Sequence, residues 1–412
     1  MADRATLKSF SRRRFVKHLA AGAAAVVAGI PQSVLNPSGE DYHVKKGEMY
    51  YRRLGRTGLL VSEISLGGSP LPDWSLFRQI IDRGVNYIDT SHNYSNGNSE
   101  RQIGRLFKEI GRDKVYFSTK FHVRGSFTEA SLIESVEGSL RRLETDVIDV
   151  LSVHGVENEA DLTDQRVLGA FEKLKAAGKY KFRGLSCHTN HQRVIKTAVD
   201  CGHYDMVQMG YNVFDILESE TNVKTYEDYL GRSGIKDLIA YAKAKDVGVI
   251  AMKTLRVGGR RQDLERYKTG TTSIFQAMLK WALENKNLTA VVTEILNHDQ
   301  MREDLAAVGI PLSAAERKSL FLHVAEHAKN YCHLCGSCQK NCPSRIRTAD
   351  ILRYLAYAES YGKNSSAKAM YAQLPPEETA LACRDCGACR RHCPYGVDVR
   401  RRIADAHQIL RG

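Results

Sequence analysis

The chain has 412 residues, too many for one ordinary domain and enough for a barrel of about 250 residues with something else at its ends. Hydrophobic residues make up 43% and charged residues 26%, a globular balance that excludes both a disordered chain and a multi-span membrane protein. The formal charge of +13 does not point to nucleic acid: six cations against Asp3 put a net +5 in residues 1–31, and no aromatic-basic repeat or helix-turn-helix pattern accompanies the rest.

Arg12, Arg13 and Arg14 precede residues 19–30, a short apolar run rich in Ala and Gly. Paired arginines before a short, weakly hydrophobic segment read as a twin-arginine export signal over residues 1–31. The run is too short to span about 30 Å of hydrocarbon. The expected location is the periplasm or another compartment reached through the twin-arginine translocase, with an uncleaved membrane anchor as the variant. Residues 32–49, with Pro37, Ser38 and Gly39 among charges, read as a linker.

From residue 50 apolar strand-like runs alternate with helical patterns. Val85, Tyr87 and Ile88 make a β-branched and aromatic run that stops at Asp89, and Tyr94 follows in a segment of Ser, Asn and Gly before Ser99-Glu100 open a helix. Later runs end at Lys120, at His154 and beyond Ser186, and further strands cover 206–212, 247–255 and 290–296. Apolar positions at helical spacing occupy 74–83, 132–143, 167–174 and 235–244. Alternation of this kind gives a parallel barrel or a doubly wound sheet. Eight strand candidates without a GxGxxG after the first favour a (β/α)8 TIM barrel over residues 50–325, with its chemistry on the carboxyl face.

A carbonyl accepts hydride readily when its developing alkoxide is protonated, so a site for that reaction needs a group that still holds a proton near neutrality. Tyr94 is such a group, and a neighbouring cation, Lys120, is expected to lower its pKa. Asp89 would hold the ammonium in place, and His154 would orient the substrate oxygen. Taken singly these residues have plainer readings: a helix cap, loop packing, a solvated strand end and a satisfied core histidine. Taken together at strand ends they make a candidate catalytic group.

The run Asp89-Thr90-x-x-x-Tyr94 with Ser99-Glu100, the strand-ending Lys120 and the later His154 resembles the aldo/keto reductase family in order and spacing, over roughly residues 50–310. The opening YRRLGRTGLLVSEISLGG is similar to that family's first barrel strand. The resemblance implies an extended nicotinamide dinucleotide, NADP or NAD, across the barrel mouth. It implies that Ser186 and Gln208 hold the carboxamide and that Tyr211 stacks on the ring. Two departures stand out: Cys187 follows Ser186 where the family has Asn, and Glu294 with Arg302 stands where the family offers a cation to the 2′-phosphate.

Residues 326–412 change in character. Cys332, Cys335, Cys338 and Cys342-Pro343 repeat about forty residues later as Cys383, Cys386, Cys389 and Cys393-Pro394. Both runs match C-x2-C-x2-C-x3-C-P, in which three thiolates hold one 4Fe-4S cluster and the fourth reaches the other. Structural zinc is the alternative for CxxC pairs. The third cysteine and trailing proline favour two 4Fe-4S clusters in a mainly helical ferredoxin-like domain, with helices at 349–358, 365–373 and 399–410. Two such clusters, each at about −2 with its ligands, would offset roughly half of the +8 outside the leader. Cys187 and Cys201 lie outside both runs. The leader and the clusters suit one another, because twin-arginine export carries proteins already folded around their cofactors.

The expectation is an exported oxidoreductase that acts on a small carbonyl or alcohol, with Tyr94 as acid/base and the clusters passing electrons to or from a redox partner protein. A non-redox proton-transfer enzyme and an electron carrier with the barrel as scaffold are the alternatives.

Overall fold

The computed structural model describes residues 43–123, 125–216, 234–257 and 261–411, so the expected signal and most of the expected linker lie outside the described residues. Chain order begins with an antiparallel sheet of β1 (His43–Lys46), β2 (Met49–Arg53) and β3 (Leu60–Ser62). The last residues of the expected linker are therefore mostly strand, and the 51–68 stretch is not one barrel strand but spans β2, β3 and the first barrel strand. Gly55 and Gly58 turn the chain at positive φ, and a Cβ on Gly55 would lie 2.2 Å from the backbone nitrogen of Gly248. Only glycine permits that approach. It carries Leu54, fully buried, into an apolar cluster with Val61, Tyr87, Val150, Met206 and Ile250.

Eight parallel strands then close into a barrel in chain order: β4 (Ile64–Gly67), β5 (Tyr87–Asp89), β6 (Tyr116–Phe121), β7 (Ile148–Val153), β8 (Tyr180–Cys187), β9 (Met206–Gly210), β10 (Gly248–Met252) and β11 (Ala290–Thr293). Closure is made where Val291 pairs with Ile64. The strands are almost wholly buried, as a parallel sheet covered by helices requires. Helices Trp74–Asp82, Glu129–Leu143, Gln165–Ala176 and Ile235–Ala244 occupy the periodic segments. The second starts earlier than its apolar spacing indicates, because Thr128 caps it by accepting from the Ser131 amide. A polar first turn has no apolar period to read.

Helix Ala314–His327 crosses the expected domain boundary at 325/326. Its Ser313 cap and the buried Lys280–Glu316 pair at 2.7 Å fix it to the barrel, and the chain passes directly into the first cysteine run. Helices Thr348–Glu359, Asn364–Ala372 and Val399–Leu410 build a second core around Ile351, Leu355, Val397 and Ile403. This domain packs on the carboxyl face of the barrel. The hydroxyl of Ser360 donates to Val257 O at 2.8 Å, and Lys363 reaches Ser69 O at 2.6 Å and the carboxylate of Glu294.

Candidate active site and cluster ligands

Asp89 ends β5 and Lys120 is the last but one residue of the neighbouring β6, so their side chains meet at the barrel mouth. Lys120 Nζ donates to Asp89 Oδ1 at 2.5 Å and to Thr90 O at 2.7 Å, and Ser118 Oγ donates to the same carboxylate oxygen at 2.7 Å. Both charged residues are more than nine-tenths buried. Gly68 lets the β4 end approach closely: its N–H donates to Asp89 O at 2.8 Å, and a Cβ there would stand 2.9 Å from that oxygen. The Ser99-Glu100 dipeptide braces the same rim. Ser99 shares a 2.7 Å hydrogen bond with Thr90, while the buried Glu100 accepts from Thr119 and Arg142.

Tyr94 leaves a turn in which Ser95 and Asn96 both have positive φ, an arrangement that non-glycine residues hold only when their surroundings enforce it. Its ring lies 5.1 Å from Lys120 Nζ and 5.7 Å, edge-on, from the ring of His154. The four expected catalytic residues are thus brought together along one cavity of about 450 Å³.

The expected lowering of the Tyr94 pKa is not what this environment produces. Burial pushes the phenol well above its ordinary value, and Asp89 and Tyr357 push in the same direction. The cation is spent on Asp89, and the tight ion pair presents little net positive charge to the phenol. Lys120 itself is pulled below its ordinary value, first by burial, against the opposing pull of Asp89. His154 lies well below the usual imidazole range, again through burial first and then Lys120. Its Nδ1 is 3.1 Å from Ser91 Oγ, and its ring stacks on His122 at 4.2 Å. The group is therefore a protonated phenol and a neutral imidazole beside a neutralised ion pair.

Ser186 and Gln208 line this cavity from β8 and β9. Ser186 Oγ accepts from Gly155 N at 2.9 Å, and Gln208 Oε1 is buried without a hydrogen-bond partner. An unsatisfied amide oxygen at that place suits a ligand carboxamide N–H. Tyr211 does not join them. Its ring stacks on Trp281 at 4.7 Å, and its hydroxyl accepts from Asn285 at 3.4 Å behind the strands. Strand alternation is the reason: residues two apart share a face, so Gln208 and Gly210 face the mouth side while Tyr211 turns to the helices. Arg302 is exposed and paired with Asp299, and Glu294 is paired with Lys363, so neither presents a free charge.

Several lining residues gave no recognisable sequence signal. Tyr354, Tyr357 and Tyr361 descend from the cluster domain into the cavity, and Lys253 and His188 complete its wall. Lys253 lies inside the expected 247–255 run, whereas the strand itself stops at Met252 and leaves the lysine at its mouth. Tyr354 and Tyr357 lie on the helix Thr348–Glu359 and Tyr361 in the turn just beyond it, a spacing that a packed helix face would show equally well.

The eight expected ligand cysteines are all in the carboxyl-terminal domain. Cys342 of the first run lines a small cavity with Cys383, Cys386 and Cys389 of the second. Cys393, in turn, neighbours Cys335 and Cys338 of the first run. Neighbours thus cross between the two runs, as the interleaved ligands of two cubanes would require. Burial pushes the Cys338 thiol up to about 11, and a metal cluster supplies the positive charge that a buried thiolate needs. Cys187 is buried beneath the site with its thiol donating to Thr189 O, and Cys201 lies outside both groups.

Comparison with known proteins agrees with this layout. Residues 75–269 match the Aldo/keto reductase family, and residues 331–397 match a 4Fe-4S dicluster domain. L-galactose dehydrogenase of Arabidopsis thaliana is 26% identical over 62% of this chain and 87% of its own length. The NADH-specific methylglyoxal reductase of Escherichia coli is 26% identical over 64% of this chain and 94% of its own. Among solved structures, the holo form of an aldo-keto reductase from Bacillus halodurans is 24% identical, covers 66% of this chain and 95% of its own, and superposes with a TM-score of 0.52.

Proposed function

We propose that this chain, an oxidoreductase of aldo/keto reductase type that carries a 4Fe-4S dicluster domain, interconverts a small carbonyl compound and its alcohol at the barrel mouth and exchanges electrons through clusters on its two cysteine runs. One observation carries this reading: Tyr94, Lys120 and His154 share a cavity with Tyr354, Tyr357 and Tyr361 of the cluster domain. The catalytic group is thus roofed by the domain that holds the clusters, and a roof excludes the water that would compete for a reactive alkoxide.

Tyr94 holds its proton across neutral pH and gives it to the carbonyl oxygen as negative charge develops there. His154, with Nδ1 engaged by Ser91, keeps Nε2 as the nitrogen that orients that oxygen. Lys120 and Asp89 act on position: the ion pair and its bonds to Ser118 and Thr90 keep the floor of the site rigid. Ser186 and Gln208 would hold the carboxamide of NADP or NAD, which when bound supplies or accepts hydride. The two 4Fe-4S clusters, when assembled, supply single electrons. The relatives named L-galactose dehydrogenase and methylglyoxal reductase fit a small carbonyl or alcohol substrate. A redox partner protein would meet the cluster domain.

We also read the amino terminus as a twin-arginine signal that takes the folded protein out of the cytoplasm. Among the described residues no helix is long and apolar enough to cross a membrane. Arg12→Lys with Arg13→Lys should leave the precursor inside with its clusters intact, since two ammonium groups do not replace a guanidinium pair; normal export of that variant would contradict the signal.

The central reading is tested by reducing the clusters anaerobically, adding carbonyl substrates, and following the paramagnetic signal. Substrate-dependent reoxidation should occur in the native protein. It should fall on the order of 10² to 10⁴ in rate in Tyr94→Phe, which loses the proton donor but little volume. Clusters indifferent to every substrate turned over by the barrel would refute electron exchange. Full activity in the Phe variant would refute the acid role.

A further inference from the structure

A second cavity, of about 400 Å³, adjoins the catalytic one. Lys253, Arg353, Tyr357, Tyr361 and His188 form the partition and line both. The far wall is Tyr331, His333 and Cys335, at the opening of the first cysteine run. Its size is that of a small-molecule site, and neither the proton-donating group nor the expected carboxamide contacts belong to it.

The lining is one-sided in charge. Arg193, Lys253, Arg256, Lys340 and Arg353 contribute to it, and among the described residues that line it there is no Asp or Glu. Arg193 and Arg353 are already neutralised, by Glu159 and by Asp350 at 2.5 Å each. Arg256 is not. It is 7% exposed, its Nε has no hydrogen-bond partner, and it forms no ion pair among the described residues. Its guanidinium lies 4.6 Å from the ring centroid of Tyr331. The hydroxyl of Tyr361 is likewise buried without a partner. A buried guanidinium without an anion is costly and persists where a ligand or a metal centre completes it. Cys332 is a near neighbour of Arg256, so a cluster on the first run would account for part of the compensation. It does not account for the unpaired hydroxyl of Tyr361, and Lys340, exposed at the rim, adds a further positive charge to the entrance. The remaining walls are flat and aromatic: His333 stacks on Tyr395 with ring centroids 3.6 Å apart.

We infer that this cavity binds a flat aromatic anion, its ring against the tyrosine and histidine walls and its acidic group at Arg256 and Lys253. Guanidinium groups favour carboxylates and phosphates through paired donors, and cations beside aromatic rings favour planar ligands. Two sources share that chemistry: an aromatic electron carrier with a phosphate tail, or the acidic aromatic end of a substrate reaching in from the neighbouring cavity. The site does not depend on the catalytic role of Tyr94.

The test is titration of the purified, cluster-loaded protein with flavin mononucleotide and with 2-naphthoate, each against its neutral counterpart, riboflavin and 2-naphthamide, followed by ligand fluorescence and calorimetry. At least one anion should bind at one per chain, with its neutral counterpart at least tenfold weaker. Arg256→Met should weaken it at least tenfold, and Tyr94→Phe should leave it unchanged. Binding of flavin mononucleotide identifies a carrier site, whereas binding of naphthoate alone identifies the substrate's acidic end. Should Arg256→Met lose iron, Lys253→Met carries the same expectation with a loss of at least fivefold. Absence of binding by both anions, equal binding of the neutral counterparts, or indifference to the cation substitutions in iron-replete protein would overturn the proposal. A failed Tyr94 test alongside intact binding would remove the catalytic reading and leave this site standing.

Discussion

Lys253, just beyond β10, holds its ammonium 4.9 Å from the ring centroid of Tyr357, a residue of the cluster domain. The pair joins the two domains inside the barrel mouth, and Lys253 reaches it from a backbone with φ of 63°, a strained conformation for a non-glycine residue. Burial pushes the phenol of Tyr357 up, but Lys253 and Arg353 more than offset that, and the group sits below the ordinary tyrosine value. The mouth therefore holds two phenols of opposite character, with Tyr94 held well above that value.

Tyr357 should consequently set an alkaline limit on carbonyl reduction. Its phenolate forms below pH of about 10, the ordinary value, and adds negative charge beside Tyr94, which makes proton donation harder. The rate should fall on the alkaline side in the native protein, and the limb should move to higher pH in Tyr357→Phe. The pH dependence of kcat for both proteins decides it; an unchanged limb would rule out Tyr357 as its origin.

Removing the cation from the ion pair should cost fold stability as well as activity. Lys120→Met leaves Asp89 buried and uncompensated, a change of about 3–5 kcal/mol. Adding Asp89→Asn to that variant should recover much of the loss, because the neutral amide no longer needs a cation. Thermal unfolding of the single and double variants tests this, and equal Tm values for the two would show that the pair's charge is not the cause.

Acid should unfold the protein before its carboxylates titrate. Burial holds His154 well below the usual range, His191 at about 4 and His323 at about 3. In the unfolded chain each returns to about 6.5. Between those values the unfolded state binds more protons, so stability rises with pH there, is complete above about 6.5, and is lost as pH falls. Each histidine contributes roughly 1.4 kcal/mol per pH unit across its own window. Denaturant midpoints should drop from pH 7 to pH 5, and His323→Phe, which removes a buried ring whose two nitrogens have no partners, should flatten the slope. A midpoint constant over that interval would contradict the assignment.

The crossing of ligands between the cysteine runs predicts asymmetric damage. Cys342 lies in the first run but lines the cavity of Cys383, Cys386 and Cys389. Cys342→Ser should therefore perturb the cluster held by the second run and leave the other near native, as resolved by paramagnetic resonance of the reduced protein. Selective damage to the cluster of Cys332, Cys335 and Cys338 would mean that each run holds its own.

Much of this arrangement was legible in the residues alone. Strand runs ending in Asp89, Lys120, His154 and Ser186 placed four groups on one rim, because a parallel barrel sends every strand's carboxyl end to the same face. Cysteine spacing marked both cluster sites, since a short loop must present three thiolates to one cubane. What the chain order could not settle was set by packing in three dimensions. Tyr211 turned from the mouth, because one residue's step along a strand reverses its face. The pKa of Tyr94 rose instead of falling, because burial and a neutralised ion pair outweigh a cation counted by its presence in the sequence. Tyr357, Arg353 and Lys363 enter the mouth from more than a hundred residues downstream of His154 and Ser186, and nothing in their local spacing ties them to the strand ends. Local patterns record which elements form, whereas desolvation and the meeting of distant elements depend on what lies within a few ångströms, and that is decided only when the cluster domain closes over the barrel.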